Sequence, residues 1–180
     1  MYFSLRKNLK LNSKLPITLF TQVLSNIDGF IQFNIYTSGN SSIYKHKTAN
    51  ITKTIKLKTN RFDSIGLVAP DLLVIDAQSS EFEILQGFGQ DLSRTKYIIF
   101  ETGFYSIYDT ERNFDFCNRY LKDLGFTLLA TNVSGRGILR FYFMRLRGLF
   151  YYFRKYGFRG LKEYSGFFDV LFVNKLVTIT

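Results

Sequence analysis

Two carboxylates close consecutive apolar runs. Asp76 follows Leu72-Leu-Val-Ile75, and Glu101 follows Tyr97-Ile-Ile-Phe100. Short runs of this kind read as buried strands of a parallel sheet, covered on both faces. In open parallel sheets, ligands sit beyond the carboxyl ends of the strands. Adjacent strands lie about 4.8 Å apart, so both acids are expected to face one crevice. Such a pair can work as acid and base, or hold the hydroxyls of a sugar. An acid in this place can equally form a turn or cap the following helix. Glu81 and Glu83 fall where that helix would begin and suit its dipole in any case. Glu81 joins Asp76 and Glu101 in the candidate catalytic set.

Other chemistry is excluded by scarcity. The chain has one cysteine, Cys117, and one histidine, His46. No disulfide framework, Cys-cluster metal site or His-pair zinc site can be built, and a Ser-His-Asp triad is disfavoured. Metal is therefore not expected. Cys117 lies beside the apolar face of a predicted helix and reads as core. His46, flanked by Lys45 and Lys47, reads as a solvated loop residue.

The elements that must position the acids follow from periodicity. The spacing predicts a short basic helix over Phe3 to Leu11, ended by Pro16. Ile17 to Leu24 reads as a strand, Asn26 to Gly29 as a turn, and Phe30 to Tyr36 as its hairpin partner. Ile51 to Leu57 alternates as a half-exposed strand does. After the Leu72–Ile75 strand, Glu81 to Leu92 reads as a helix with Phe82, Leu85 and Phe88 on one face. Ser79 or Ser80 is its expected cap. The Tyr97–Phe100 strand precedes a helix over Asn113 to Leu124, stopped by Gly125. Phe126 to Ala130 and Phe167 to Val173 are the last strands. Alternating strands and helices imply an α/β fold with right-handed crossovers.

Charge is unevenly spread over the 180 residues. Residues 1–60 carry +8, residues 61–132 carry −5 and residues 133–180 carry +7. Residues 136–162 hold eight Lys/Arg and no acid. On a helical wheel, Arg136, Arg140, Arg147 and Arg154 form a narrow stripe against Tyr142, Leu146, Leu149 and Phe153. An ordinary core helix with a solvated basic face accounts for this. So does an interfacial helix on an anionic membrane surface. Nucleic acid is a weaker match. No signal peptide and no apolar run of transmembrane length are present, so the expected location is cytoplasmic, with peripheral membrane contact through residues 136–162.

The order of motifs resembles the FkbM-type methyltransferases. Asp76-Ala-Gln-Ser-Ser-Glu81-Phe-Glu-Ile-Leu85-Gln-Gly87 is similar to that family's hallmark. Lys53 to Ile65 resembles its preceding strand and Leu-Asp element. Tyr97–Glu101, Leu121–Phe126 and Phe168–Val173 resemble its later elements, and Leu5–Asn12 and Val23–Gly29 its earlier ones. The resemblance implies a Rossmann-like sheet of the class I methyltransferase type, mostly parallel with an antiparallel last strand. It implies S-adenosylmethionine as cofactor and O-methylation of a sugar hydroxyl on a glycan or glycolipid. Gln22 and Val23 fall where related enzymes contact adenine, and Asp76 lies at the same cofactor site.

Two departures stand beside the resemblance. Ser79 replaces the hallmark glycine, which matters if that position has a positive φ. No Gly-rich turn follows an early strand. The expectation is therefore a single truncated methyltransferase-like domain over 1–180, without the first βαβ unit and with a basic aromatic insertion at about 134–166. The sheet edge so exposed at Leu72–Asp76 needs cover. Three states would answer that need. The Ile17–Leu24 strand shifts inward, a separate N-terminal half or a second copy completes the sheet, or the chain is poorly stable. A degenerate accessory binding module is the alternative to an enzyme.

Overall fold

The computed structural model describes residues 14, 16–37, 41–103, 106–110, 112–132, 146, 150, 154 and 167–177. It is a mixed α/β structure with two sheets. The first sheet holds β1 (Val23–Leu24), β2 (Gly29–Tyr36) and β3 (Ile51–Asn60) in the order β1-β3-β2. The second holds β4 (Leu72–Ile75), β5 (Tyr97–Gly103), β6 (Phe126–Thr131) and β7 (Phe167–Asn174) in the order β4-β5-β7-β6. Helix α1 (Glu81–Gly87) follows β4, and a 3₁₀ turn (Gly89–Arg94) continues from it. Helix α2 (Phe114–Asp123) lies between β5 and β6.

The second sheet has the expected sense. Strand β4 pairs with β5 in parallel, while β7 runs against both β5 and β6. The expectation of one sheet is corrected, because the first three strands form a sheet of their own. The expected hairpin is corrected too. Strand β2 pairs antiparallel with β3, and β1 pairs in parallel on β3's other side. Of the predicted Ile17–Leu24 strand, only Val23–Leu24 is a strand, and it does not move to β4. The predicted N-terminal helix and most of the basic aromatic segment lie outside the described residues.

Helix boundaries follow local chemistry. Asn113 caps α2, its side chain accepting from the Phe116 amide at 3.1 Å. Gly125 ends that helix at φ +89, a conformation that favours glycine. Helix α1 is shorter than predicted, and Ser80 occupies its cap position without a side-chain hydrogen bond.

One core serves both helices and the second sheet. Ile75, Leu85, Leu92, Ile98, Phe100, Phe114, Leu121, Phe126, Val170 and Phe172 are buried together. Cys117 belongs to it, as expected, and burial pushes its thiol up to about 12. The opposite face of the second sheet is open along β4. Leu72 is 49% and Val74 63% exposed, so among the described residues the expected cover on both faces is absent there.

The sheets are joined through α1. Phe62, just after β3, stacks on Phe88 at 4.0 Å between ring centres. Asn26 donates to the Gln86 side chain at 3.0 Å. Gly87 lies against the Ser25 backbone. Residues 42–50 form a second seam with residues 106–110, where Lys47 and Asp109 amides donate across it. His46 sits in this seam. It is half-buried between Tyr36 and Tyr108, and its Nδ1 accepts from the Ala49 amide at 3.0 Å. The reading of His46 as solvated is thus corrected.

Candidate functional site

Strand register brings the acids together. Ile75 pairs with Phe100, and Phe100 with Val170; all three face the core. Side chains alternate along a strand, so the next residue of each turns to the other face. Those residues are Asp76, Glu101 and Asp169. Glu101 and Asp169 are direct partners in the β5–β7 ladder. The three carboxylates therefore form a row across the ends of three adjacent strands.

Glu101 is the central member. Burial holds its carboxyl above the usual range, and the charges of Asp76 and Asp169 add to the effect. Asp169 is fixed from β6's end: Asn132 donates to its carboxylate at 2.5 Å and accepts from its amide at 3.0 Å. Asp76 is exposed at the end of β4.

Glu101 also opens into a small cleft with Glu81, Thr102, Ser106 and Arg112. Gln78, Ser79, Asn113 and Phe167 complete its wall. Its enclosed volume is about 20 Å³, room for a water molecule. Asp76 is not part of this wall, although its charge reaches Glu101.

Glu81 is buried, and its Oε1 accepts from the Ala77 amide at 3.0 Å. Burial pushes its carboxyl up to about 7, against the pull of the Ala77, Ser79 and Glu81 amides. It thereby closes the loop from Asp76 to Ser80. Gln78 and Ser79 in that loop have φ of 49° and 72°. Ser42 secures the strained pair, donating through Oγ to the Gln78 carbonyl at 2.7 Å. The substituted hallmark position thus does require a left-handed backbone.

Arg112 is fixed from behind the cleft. Its Nε meets Glu83 Oε1 at 3.0 Å. Its guanidinium lies 4.4 Å from the Phe82 ring centre and 5.0 Å from that of Phe116. Tyr44 donates to the same Glu83 oxygen. Burial and this bond push the Tyr44 hydroxyl up to about 12. Glu83 Oε2 is buried without a hydrogen-bond partner.

The structure thus gathers Glu81 and Glu101 at one cleft and leaves Asp76 beside it. Gln22 and Val23 stand apart: Gln22 is exposed, and Val23 belongs to the first sheet. The cleft at Glu101 is itself of water size and does not hold a nucleoside. Sequence reasoning missed Asp169 and Arg112. Alternation along β7 sets Asp169 on the face opposite Val170, but its place beside Glu101 rests on the strand order. No spacing signal marks Arg112, which precedes its helix by two residues. Among the described residues no group of acids, His and Cys could hold a metal ion, and no helix is long and apolar enough to cross a membrane.

Comparison with known proteins gives one match. The family model of the methyltransferase FkbM domain aligns with residues 4–128, well over half of the chain. The match includes Asp76, Glu81 and Glu101 and ends before β7 and Asp169. No curated protein and no solved structure matches.

Proposed function

The chain belongs to the FkbM methyltransferase family, and from that premise we propose that it serves O-methylation of a sugar hydroxyl on a glycan or glycolipid. The family's cofactor, S-adenosylmethionine, supplies an electrophilic methyl group. The chain's own residues act on the acceptor.

The observation that supports this reading is the position of Glu101. It has a carboxylate neighbour on either side and opens into a polar cleft. A hydroxyl oxygen must lose its proton as it gains a methyl group. A carboxylate with a raised pKa takes that proton more readily near neutral pH than an ordinary one. Asp76 and Asp169 offer acceptors to the neighbouring hydroxyls of a sugar ring. Glu81 holds the Asp76–Ser80 loop in place, and Arg112 supplies a positive charge in the cleft wall.

Titration calorimetry with S-adenosylmethionine and S-adenosylhomocysteine tests the family activity in this chain. A site with a dissociation constant of about 10 μM, at about 1 mM ligand, stabilises by about 2.7 kcal/mol. That raises the melting temperature by about 5–10 °C. A folded sample with neither heat nor shift would overturn donor binding by this chain.

A further inference from the structure

The connection from β2 to β3 holds three of the residues that line the cleft. Within it, Ser42 Oγ holds the Gln78 carbonyl, and Tyr44 reaches Arg112 through Glu83. Lys47 Nζ donates to the carbonyl of the third, Ser106, at 2.6 Å. The connection also pairs with residues 106–110. The Lys47 amide donates to the Ile107 carbonyl at 2.9 Å, and the Asp109 amide to the Lys45 carbonyl at 2.7 Å. Short local bonds link that stretch to Arg112. The Tyr108 amide donates to Ser106 Oγ at 3.1 Å, the Thr110 amide to the Tyr108 carbonyl at 2.8 Å, and the Arg112 amide to Thr110 Oγ1 at 3.2 Å.

His46 closes the turn in this connection. Its Nδ1 accepts from the Thr48 amide at 3.1 Å and from the Ala49 amide at 3.0 Å. Two amide donors make Nδ1 the unprotonated nitrogen, so the neutral ring carries its proton on Nε2. An imidazolium carries a proton on both. A proton on Nδ1 would set one donor against two others, and only Thr48 Oγ1, at 3.3 Å, could turn to accept it. Around the ring, β2 contributes Tyr36, whose hydroxyl accepts from the His46 amide at 2.8 Å. Residues 106–110 contribute Tyr108, edge-on at 5.4 Å, and the exposed Asp109. The connection itself contributes the exposed Lys45 and Lys47. The charges of Glu81 and Glu101 reach Tyr108 from the cleft. Burial holds the imidazole below its ordinary 6.5.

We propose that His46 is a positioning residue for the cleft, and that a proton on its Nδ1 releases the seam and with it Ser106 and Arg112. As regulation of methyl transfer this rests on the function proposed above; the seam itself is read without donor or acceptor. The sign follows from a ring buried in its neutral form. Closure is at full strength above about pH 6.5 and is lost as pH falls through the folded pKa. Glu81 acts in the opposite sense, because its folded pKa is raised. A substitution at His46 separates the two. In His46→Asn, Oδ1 takes the place of Nδ1 as acceptor for the amide two residues on, as in an Asx turn, and does not ionise.

Nuclear magnetic resonance on the full chain reads the outcome, since its one histidine gives a single ring signal. The ring should titrate with a midpoint below 6.5, and the amides of Thr48, Ala49, Ser106 and Arg112 should shift with that same midpoint. Hydrogen exchange at the Lys47 and Asp109 amides, corrected for the intrinsic rate, should quicken by up to about tenfold per pH unit below 6.5. In His46→Asn that gain should vanish. The ring titration decides the matter if the variant does not fold. A midpoint at or above 6.5 would overturn the proposal. So would a ring that titrates while the Ser106 and Arg112 amides stay still, or equal pH dependence of exchange in the parent chain and the variant. A seam that opens as described in a chain that binds no S-adenosylmethionine would support the proposal and count against the function above.

Discussion

A Cβ built on Gly87 would fall inside the contact distance of the Ser25 carbonyl oxygen. Helix α1 thus meets the backbone that follows β1 with no room for a side chain. This gives the glycine of the hallmark a packing role. Gly87→Ala should destabilise the chain by about 3 kcal/mol, since neither backbone can yield cheaply. Urea unfolding measures it. A loss under about 0.5 kcal/mol, the level of an ordinary surface change, would show that the two backbones separate freely.

Ser79 gives a prediction of the opposite sign. Its φ of 72° suits glycine. Ser79→Gly should relieve about 1–2 kcal/mol of strain, offset in part by glycine's greater freedom in the unfolded chain. A net gain of about 0.5–1 kcal/mol, or about 1–4 °C in Tm, is expected. Ser80→Gly, at φ −100°, should not stabilise. Equal effects at both positions would remove strain as the cause.

Glu81 sets a pH dependence. Its folded pKa is about 7 against an ordinary 4.5. Between these values the folded state holds a proton that the unfolded state has lost. Stability from this group is full below about pH 4.5 and falls as pH rises to about 7. The fall is at most about 3 kcal/mol. Glu81→Gln keeps an acceptor for the Ala77 amide and cannot ionise, so its Tm should be flatter across that window. At pH 8 it should melt above the parent chain. Parallel curves for the two proteins would refute the assignment.

The Arg112–Glu83 pair should be strongly coupled. Removing one partner leaves a buried charge uncompensated. Arg112→Met should therefore cost about 3–5 kcal/mol. Adding Glu83→Leu should restore part of the loss, although Tyr44 then loses its acceptor. A double-mutant cycle reads the coupling directly. Additive losses would mean that the ion pair contributes little beyond its separate contacts.

Glu101→Gln bears on catalysis. It keeps the shape of the side chain and removes the base. Once a sugar acceptor is in hand, radiolabelled methyl transfer should fall about 10²–10⁴-fold. Binding of S-adenosylhomocysteine should be unchanged. Full transfer by the variant would exclude Glu101 as proton acceptor.

The second sheet was legible because its strands are short apolar runs closed by acids or turns. Leu72–Ile75 and Tyr97–Phe100 appear where the sequence puts them, and β5 runs three residues further. Asn113 and Gly125 marked both ends of α2. The first sheet was less legible. Adjacent strands joined by Asn26–Gly29 suggested a hairpin, but long-range pairing with β3 overrode the local signal. Within the site, Asp76 and Glu101 followed from their positions after apolar runs. Asp169 depended on knowing that β7 lies between β5 and β6, and no local pattern states that order. His46 was misread because its cover comes from Tyr108, which is distant in sequence.

The acid row is written in the parity of the strands. Ile75, Phe100 and Val170 point one way, and Asp76, Glu101 and Asp169 the other. Exchanging one side chain for another leaves that alternation intact, so the exposed positions of β4, β5 and β7 can drift without moving the acids. Losing or gaining one residue inside β5 is different. It would turn Glu101 toward Leu85 and Phe172 and bring an apolar side chain out in its place. Descendants of this chain should accordingly tolerate many replacements in these strands while keeping their lengths fixed, with insertions confined to the connecting loops.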